Sequence, residues 1–261
     1  MEKKRIGMDP WAWIEHTLDK DSFEEYGSDK NGNNFGEEII SGIGKCDGRV
    51  ICVYAHNPRI GQGFVTSEGA QKICSIMQKA FDLGVPMVSF MASPGVSVEE
   101  GIASGDSYTK VISENIRLSS VVPQVAVVMG TTMGAPAYST TLMDFVIFNK
   151  ARSALMVTGP SVISEVMGEK TTIKSLGGSE VHSKKTGIAD FVVKNIPAQI
   201  EKLKELLAYL PSNNIEDTPK RLAIDPSSNF PNIPNDLKLP FDMNDMISAI
   251  VDSGSFLELK E

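Results

Sequence analysis

Pro86-Met-Val-Ser-Phe-Met-Ala-Ser93-Pro94-Gly95, with Val96-Ser-Val-Glu99-Glu100-Gly101 after it, and Val125-Ala-Val-Val-Met129-Gly130-Thr-Thr-Met133-Gly134-Ala135-Pro136-Ala-Tyr138-Ser139 decide the fold. Each begins as a short apolar, β-rich run, ends in small residues and passes into a helix-like stretch. A strand that turns through glycine into a helix is half of a βαβ crossover, and two in succession imply a parallel α/β sheet. Such turns can also direct backbone N–H groups outward. Two aimed at one point would form an oxyanion hole for a thioester oxygen becoming negative, each good donor contributing on the order of 3 kcal/mol.

The same alternation extends on both sides. Before the first turn, 40–44 and Arg49 to Tyr54 read as strands joined by an Asp47-Gly48 hairpin turn. Ser67 to Leu83 reads as a helix with Ala70, Ile73, Cys74, Met77, Ala80 and Phe81 on one face and Gly84 as its stop. Val85 to Met91 and Val125 to Gly130 read as strands, and Glu99 to Ser119 and Ala135 to Leu142 as helices. Phe145 to Asn149 and Ala154 to Val157 read as further strands, and Gln199 to Tyr209 as a closing amphipathic helix. Residues 1–36 form a polar N-terminal segment with Trp11 and Trp13 in a short helix and a loop over Asp29 to Asn34. The main domain is expected over 37–210. Residues 211–261 are a Pro-, Asn- and Ser-rich connector with one further helix over Asp242 to Asp252.

At 261 residues with 41% hydrophobic and 22% charged residues, the chain is of ordinary globular composition. A formal net charge of -8 argues against nucleic acid as partner. No run reaches the roughly 18 apolar residues of a membrane span, and the N-terminus has no apolar signal core, so a cytoplasmic location is expected. Cys46, Cys52 and Cys74 include no Cys-x-x-Cys pair and read as buried thiols, without a structural zinc.

Taken in order, several segments resemble the carboxyltransferase subunits of acyl-CoA carboxylases, in their N-terminal half. They are Tyr26-Gly27, Gly44 through Tyr54, Gly69-Ala-Gln-Lys-Ile73, Ser93 through Gly101, Met129-Gly130, Thr158-Gly-Pro160, Leu176 through His182 and Leu207 through Pro211. The resemblance implies a crotonase-like ββα spiral core followed by a linker and a helix. It also implies a coenzyme A or carrier-protein thioester as substrate, biotin carried by a partner, and an oligomer in which a second carboxyltransferase half completes the enzyme. In full-length members such a connector leads into that second half, so the chain reads as a half-subunit or a fragment.

By the same resemblance the hole draws N–H groups from both turns. The family's Asp-Ser-Gly-Gly-Ala-Arg is Ala92-Ser93-Pro94-Gly95-Val96-Ser97 here, and its Cys-Ala-Gly-Gly-Ala is Thr132-Met133-Gly134-Ala135-Pro136. Proline has no N–H, so Gly95 is the expected donor of the first turn and Gly134 or Ala135 that of the second. Ser93, Pro94, Met133 and Pro136 are the expected substrate contacts. Losing the family's Asp and Arg points to an altered substrate or reaction. A biotin-independent decarboxylase of malonyl-type thioesters, or a non-catalytic scaffold subunit, therefore stands beside the transferase. No familiar nucleophile set occurs: His16 lies in the polar N-terminus, His56 in a loop before Pro58, and His182 where the family also tends to carry His. Glu99 and Glu100 read as first-turn helix residues. Arg59, Lys72, Lys79 and Lys110 are candidate phosphate partners, and Lys184-Lys185 is a short basic patch for an acidic carrier.

Overall fold

The computed structural model describes residues 7, 9–27, 35–226 and 238–260. The loop expected over 29–34 lies outside the described residues. Two compact units are present, one of residues 1–218 with 260–261 and one of residues 219–259.

In the large unit a seven-stranded sheet is built from β1 (Glu24–Glu25), β2 (Ile39–Cys46), β3 (Arg49–His56), β4 (Met87–Met91), β5 (Gln124–Val128), β7 (Phe145–Asn149) and β9 (Phe191–Val193), in that spatial order. β1, β2 and β3 pair antiparallel, and β3 through β9 pair parallel. Cys46 faces Arg49 across the β2–β3 hairpin, leaving Asp47 and Gly48 as a two-residue turn at φ 50° and 80°. That is the turn chemistry Asp-Gly supplies most easily. A short parallel pair, β6 (Thr131–Met133) with β8 (Ala154–Met156), forms a second sheet. β6 falls in the glycine turn that the sequence read as connection alone.

The connections are α2 (Ser67–Leu83), α3 (Ile102–Leu118), α4 (Ala135–Thr141), α5 (Pro160–Met167), α6 (Ile173–Gly177), α7 (Ser179–Lys184) and α8 (Ile196–Leu207). α2 behaves as its pattern requires. Thr66 caps it by accepting from Gly69 N–H at 3.1 Å, Gly84 stops it at φ 61°, and Ala70, Ile73, Met77 and Ala80 are buried. Cys74 and Phe81 sit at the edge of that face, and Ile76 joins the buried set. The N-terminal segment is no loose appendage: α1 (Pro10–Thr17) packs on β2, β3 and α8 with Trp13 fully buried. α5 contributes no buried residue, and Val162, Val166 and Met167 are exposed on it.

Two buried side-chain networks fix the sheet's back. Asn115 donates to Gln124 Oε1 at 2.9 Å, Gln124 returns a bond to Asn115 O at 3.0 Å, and Ser139 donates to Asn115 Oδ1 at 2.7 Å. Asn149 donates to Gln199 Oε1 at 2.7 Å, while Gln199 donates to Val128 O at 2.9 Å and Ile147 O at 3.2 Å. These amides join α3 to β5 and α8 to β5 and β7 at points where apolar contact alone sets no register.

The small unit holds α9 (Met243–Ile250), capped by Asp242, which accepts from Asn244 N–H at 2.9 Å. This helix matches the one expected near the C-terminus. Residues 227–237 of the connector lie outside the described residues.

Candidate active site at two glycine turns

β4 and β5 are adjacent and parallel, so their C-terminal ends deliver both turns to one edge of the sheet. Main-chain bonds bind the turns together. Met129 N–H donates to Met91 O at 2.8 Å, and Met133 N–H donates to Ser93 O at 2.8 Å. Gly95 has φ +136° and Gly134 φ +65°, conformations that favour glycine. The two approach so closely that a Cβ on Gly134 would lie 3.7 Å from Gly95 Cα.

The hydrogen bonds decide which N–H groups are available. Gly95 N–H donates to Ser93 Oγ at 3.2 Å, and Gly134 N–H is shared between Met156 O and Val157 O, each at 3.2 Å. Both glycines therefore shape the turns while their own N–H groups are engaged. Ala135 is the first residue of α4, where an N–H has no intrahelical acceptor. Val96 is a residue the sequence reading passed over. It pairs with Val65 as an isolated parallel bridge: Val65 N–H donates to Gly95 O at 2.9 Å and Ser97 N–H to Val65 O at 2.8 Å. In that pattern Val96 turns its own N–H to the opposite side.

Of the expected substrate contacts, Pro94 and Met133 are half-buried at the surface. Ser93 is wholly buried, donating to Gly63 O at 2.7 Å, and Pro136 is buried in α4. Ser93 thus fastens the turn to the loop around the 3-10 turn Gly61–Gly63.

Several polar groups fall elsewhere than expected. His56 is the last residue of β3, fully buried, and its Nδ1 accepts the Ala92 N–H at 3.3 Å, immediately before the first turn. Burial lowers its pKa to about 4, so the ring is neutral. His182 is also buried, between Leu155 O at 2.7 Å and Thr186 Oγ1 at 2.9 Å, and it braces β8. Glu100 is not in the first turn of α3, which begins after Gly101. Its Oε2 accepts from Ser67 N–H at 2.7 Å and Ser67 Oγ at 2.6 Å, at the start of α2. Lys72 is no phosphate partner: it is 1% exposed, with Nζ 3.6 Å from Glu25 Oε1. Arg59 pairs with Asp9 at 3.4 Å.

Cys46 and Cys52 are buried, whereas Cys74 is half-buried. Desolvation raises their thiols to about 11, 12 and 11 respectively, so none is an activated nucleophile at neutral pH. Among the described residues no group of three or more His, Cys, Asp or Glu is placed to hold a metal ion. No helix among them is long and apolar enough to cross a membrane. What the turns can offer a reacting molecule is a backbone cradle for negative charge.

Known proteins carry the same frame. Residues 8–261 match the carboxyl transferase domain family. The chain is 31% identical to the propionyl-CoA carboxylase carboxyltransferase subunit of Haloferax mediterranei, across 95% of this chain and 51% of that protein. It is 34% identical to the methylmalonyl-CoA decarboxylase subunit alpha of Veillonella parvula, across 86% of this chain and 45% of that protein. The solved transcarboxylase 12S, a hexamer with methylmalonyl-coenzyme A bound, superposes with a TM-score of 0.87 at 32% identity, over 96% of this chain and 52% of that one. A Pseudomonas malonate decarboxylase hetero-tetramer superposes at 0.70 with 18% identity, which speaks to the fold alone. The chain spans about half the length of the curated relatives it matches. Its α/β architecture is crotonase-like, and the protein belongs to the carboxyl transferase domain family.

Proposed function

We propose that this chain binds an acyl thioester at the paired turns and stabilises its enolate for carboxyl transfer. The observation that carries the reading is the close approach of Gly134 to Gly95, which supports a common target for the N–H groups of the residues that follow them, Val96 and Ala135. The Val96 and Ala135 N–H groups receive the thioester oxygen, and Gly95 and Gly134 supply the backbone shape that presents them. As the α-proton leaves, for which the partner-borne biotin would be the acceptor once its carboxyl group is released, negative charge gathers on that oxygen and the α-carbon becomes nucleophilic, and donors already fixed in place need no reorganisation. Pro94 and Met133 line the approach. Biotin, carried by a partner subunit, supplies the carboxyl group when present. A second carboxyltransferase half, in an oligomer, provides the face on which biotin works. The acyl group arrives on coenzyme A or on a carrier protein.

Decarboxylation of a malonyl-type thioester is the second reading. The 34% identity to a methylmalonyl-CoA decarboxylase subunit favours it, and the same hole serves it with the carboxyl group leaving instead of arriving. Mass-spectrometric turnover of malonyl- and methylmalonyl-thioesters, by the purified chain and by the chain with co-expressed partners, separates the two. Biotin-dependent exchange once a partner is added supports transfer. Carbon dioxide release without biotin moves the assignment to decarboxylation. Inactivity in both settings leaves a scaffold subunit and refutes the catalytic reading.

A further inference from the structure

Behind the glycine turns, four hydroxyl groups collect in an otherwise apolar core. Tyr54 of β3 and Ser89 of β4 are partners in the parallel register, so their side chains leave the same face of the sheet side by side. The row continues to Ala126 of β5, and the short side chains of Ser89 and Ala126 leave room beside the Tyr54 ring. Tyr108 of α3 and Ser139 of α4 come down onto this row, Ser139 standing near both phenols. All four hydroxyl-bearing residues are wholly buried, and both tyrosines belong to the main apolar cluster.

These groups face one another without satisfying one another. Ser139 gives its proton to Asn115 Oδ1 at 2.7 Å, so toward the other three it can only accept. The Tyr54 hydroxyl meets Met91 Sδ, a weak acceptor, at 3.6 Å. Among the described residues the Tyr108 and Ser89 hydroxyls have no hydrogen-bond partner. Burial raises the Tyr54 phenol to about 12 and the Tyr108 phenol well above its ordinary value, so both stay protonated donors at neutral pH. A buried hydroxyl left unpaired is costly, and phenylalanine and alanine would fill the same places without that cost. Polar groups that converge beyond direct bonding distance in a roomy, buried place suit a bridging water. We propose that this cluster binds one internal water molecule, which accepts from Tyr108 and Ser89 and donates to the oxygens of Ser139 and Tyr54. Four bonds are within the number a buried water makes. The water joins β3, β4, α3 and α4 at one point, and the proposal stands whether or not the glycine turns act on a thioester.

A high-resolution crystal structure of the full chain tests it, together with thermal melts of Y108F, S89A and the double variant. One ordered solvent peak is expected within hydrogen-bond distance of Tyr108 Oη and Ser89 Oγ. Each single variant should melt roughly 2–4 °C below the wild type, because the water loses a partner. The double variant should fall by less than the sum of the two, since a water held by both hydroxyls can be lost only once. Absence of density at that point, or direct bonds among the four hydroxyls in its place, overturns the proposal. So do single variants that melt at or above the wild type, the result of deleting an unpaired hydroxyl from a dry core. A strictly additive double variant overturns it as well. None of these readouts involves turnover, so inactivity toward thioesters leaves the result intact.

Discussion

His56 makes the protein's stability depend on pH in a window set by one ring. Its pKa is lowered from 6.5 to about 4 by burial, so the folded protein keeps it neutral where an unfolded chain takes up a proton. The stabilisation is fully present above pH 6.5 and is lost as the pH falls from 6.5 toward 4. With those two values, moving from pH 7 to pH 5 removes about 2 kcal/mol. For a chain of this size that corresponds to roughly 4–8 °C in melting temperature. Carboxylates also titrate in this range, so the comparison is with His56→Asn, whose amide oxygen can accept the Ala92 N–H but carries no titrating group. The variant melts lower at pH 7, since it leaves space in a packed site. Its further drop between pH 7 and pH 5 should be smaller than that of the wild type by those same 4–8 °C. Equal drops by scanning calorimetry would refute the assignment of the window to His56. Protonation also removes the acceptor for Ala92 N–H, so reversible loss of turnover should accompany the wild-type transition.

Three further substitutions probe other parts of the frame. Ala135→Pro deletes the proposed donor at a helix position that accepts proline, so turnover should fall about 10²–10³-fold with little change in melting temperature; undiminished turnover removes Ala135 from the hole. Gly177→Ala would place its Cβ on the carbonyl of Leu155 in β8 and displace the strand end whose carbonyls hold Gly134. Denaturant titration should show a loss of roughly 2–4 kcal/mol, with a matching fall in thioester turnover. Gln199→Leu takes the acceptor from the Asn149 amide and a donor from the Ile147 carbonyl, while the Val128 carbonyl keeps the Ser153 hydroxyl. About 2–4 kcal/mol of stability should be lost, and a change under 1 kcal/mol would mean that water or repacking satisfies those groups.

Elements whose pattern and punctuation agree were legible in the sequence. α2 has its periodic face and its Gly84 stop, and the β2–β3 hairpin has Asp-Gly, while the Thr66 cap came only with the structure. The glycine turns were legible as strand-to-helix connections, and their junction follows from two adjacent parallel strands. β6 and β9 were harder because each has three residues, too few to display a period, whereas β8, equally short, was read as a strand over Ala154 to Val157. Main-chain donor identity was hidden altogether: whether Gly95 or Val96 presents a free N–H depends on the Ser93 hydroxyl and on pairing with Val65. Lys72 misled because a lysine on a helix near the N-terminal segment looks solvated until Glu25 meets it.

The two glycine turns are tethered to each other through main-chain atoms, and Ser93 is the side chain that ties the first to the neighbouring loop, so the other side chains they carry are released from the task of holding them. Met133 is anchored by its N–H, and Gly134 by the carbonyls of Met156 and Val157. Residues 92, 94, 96, 97 and 133 can therefore change identity while the frame persists. Ala92 and Ser97 stand at two of these positions, where the resemblance sets an acid and a base. A frame held this way lets the residues around the turns differ from one relative to another without moving the main chain.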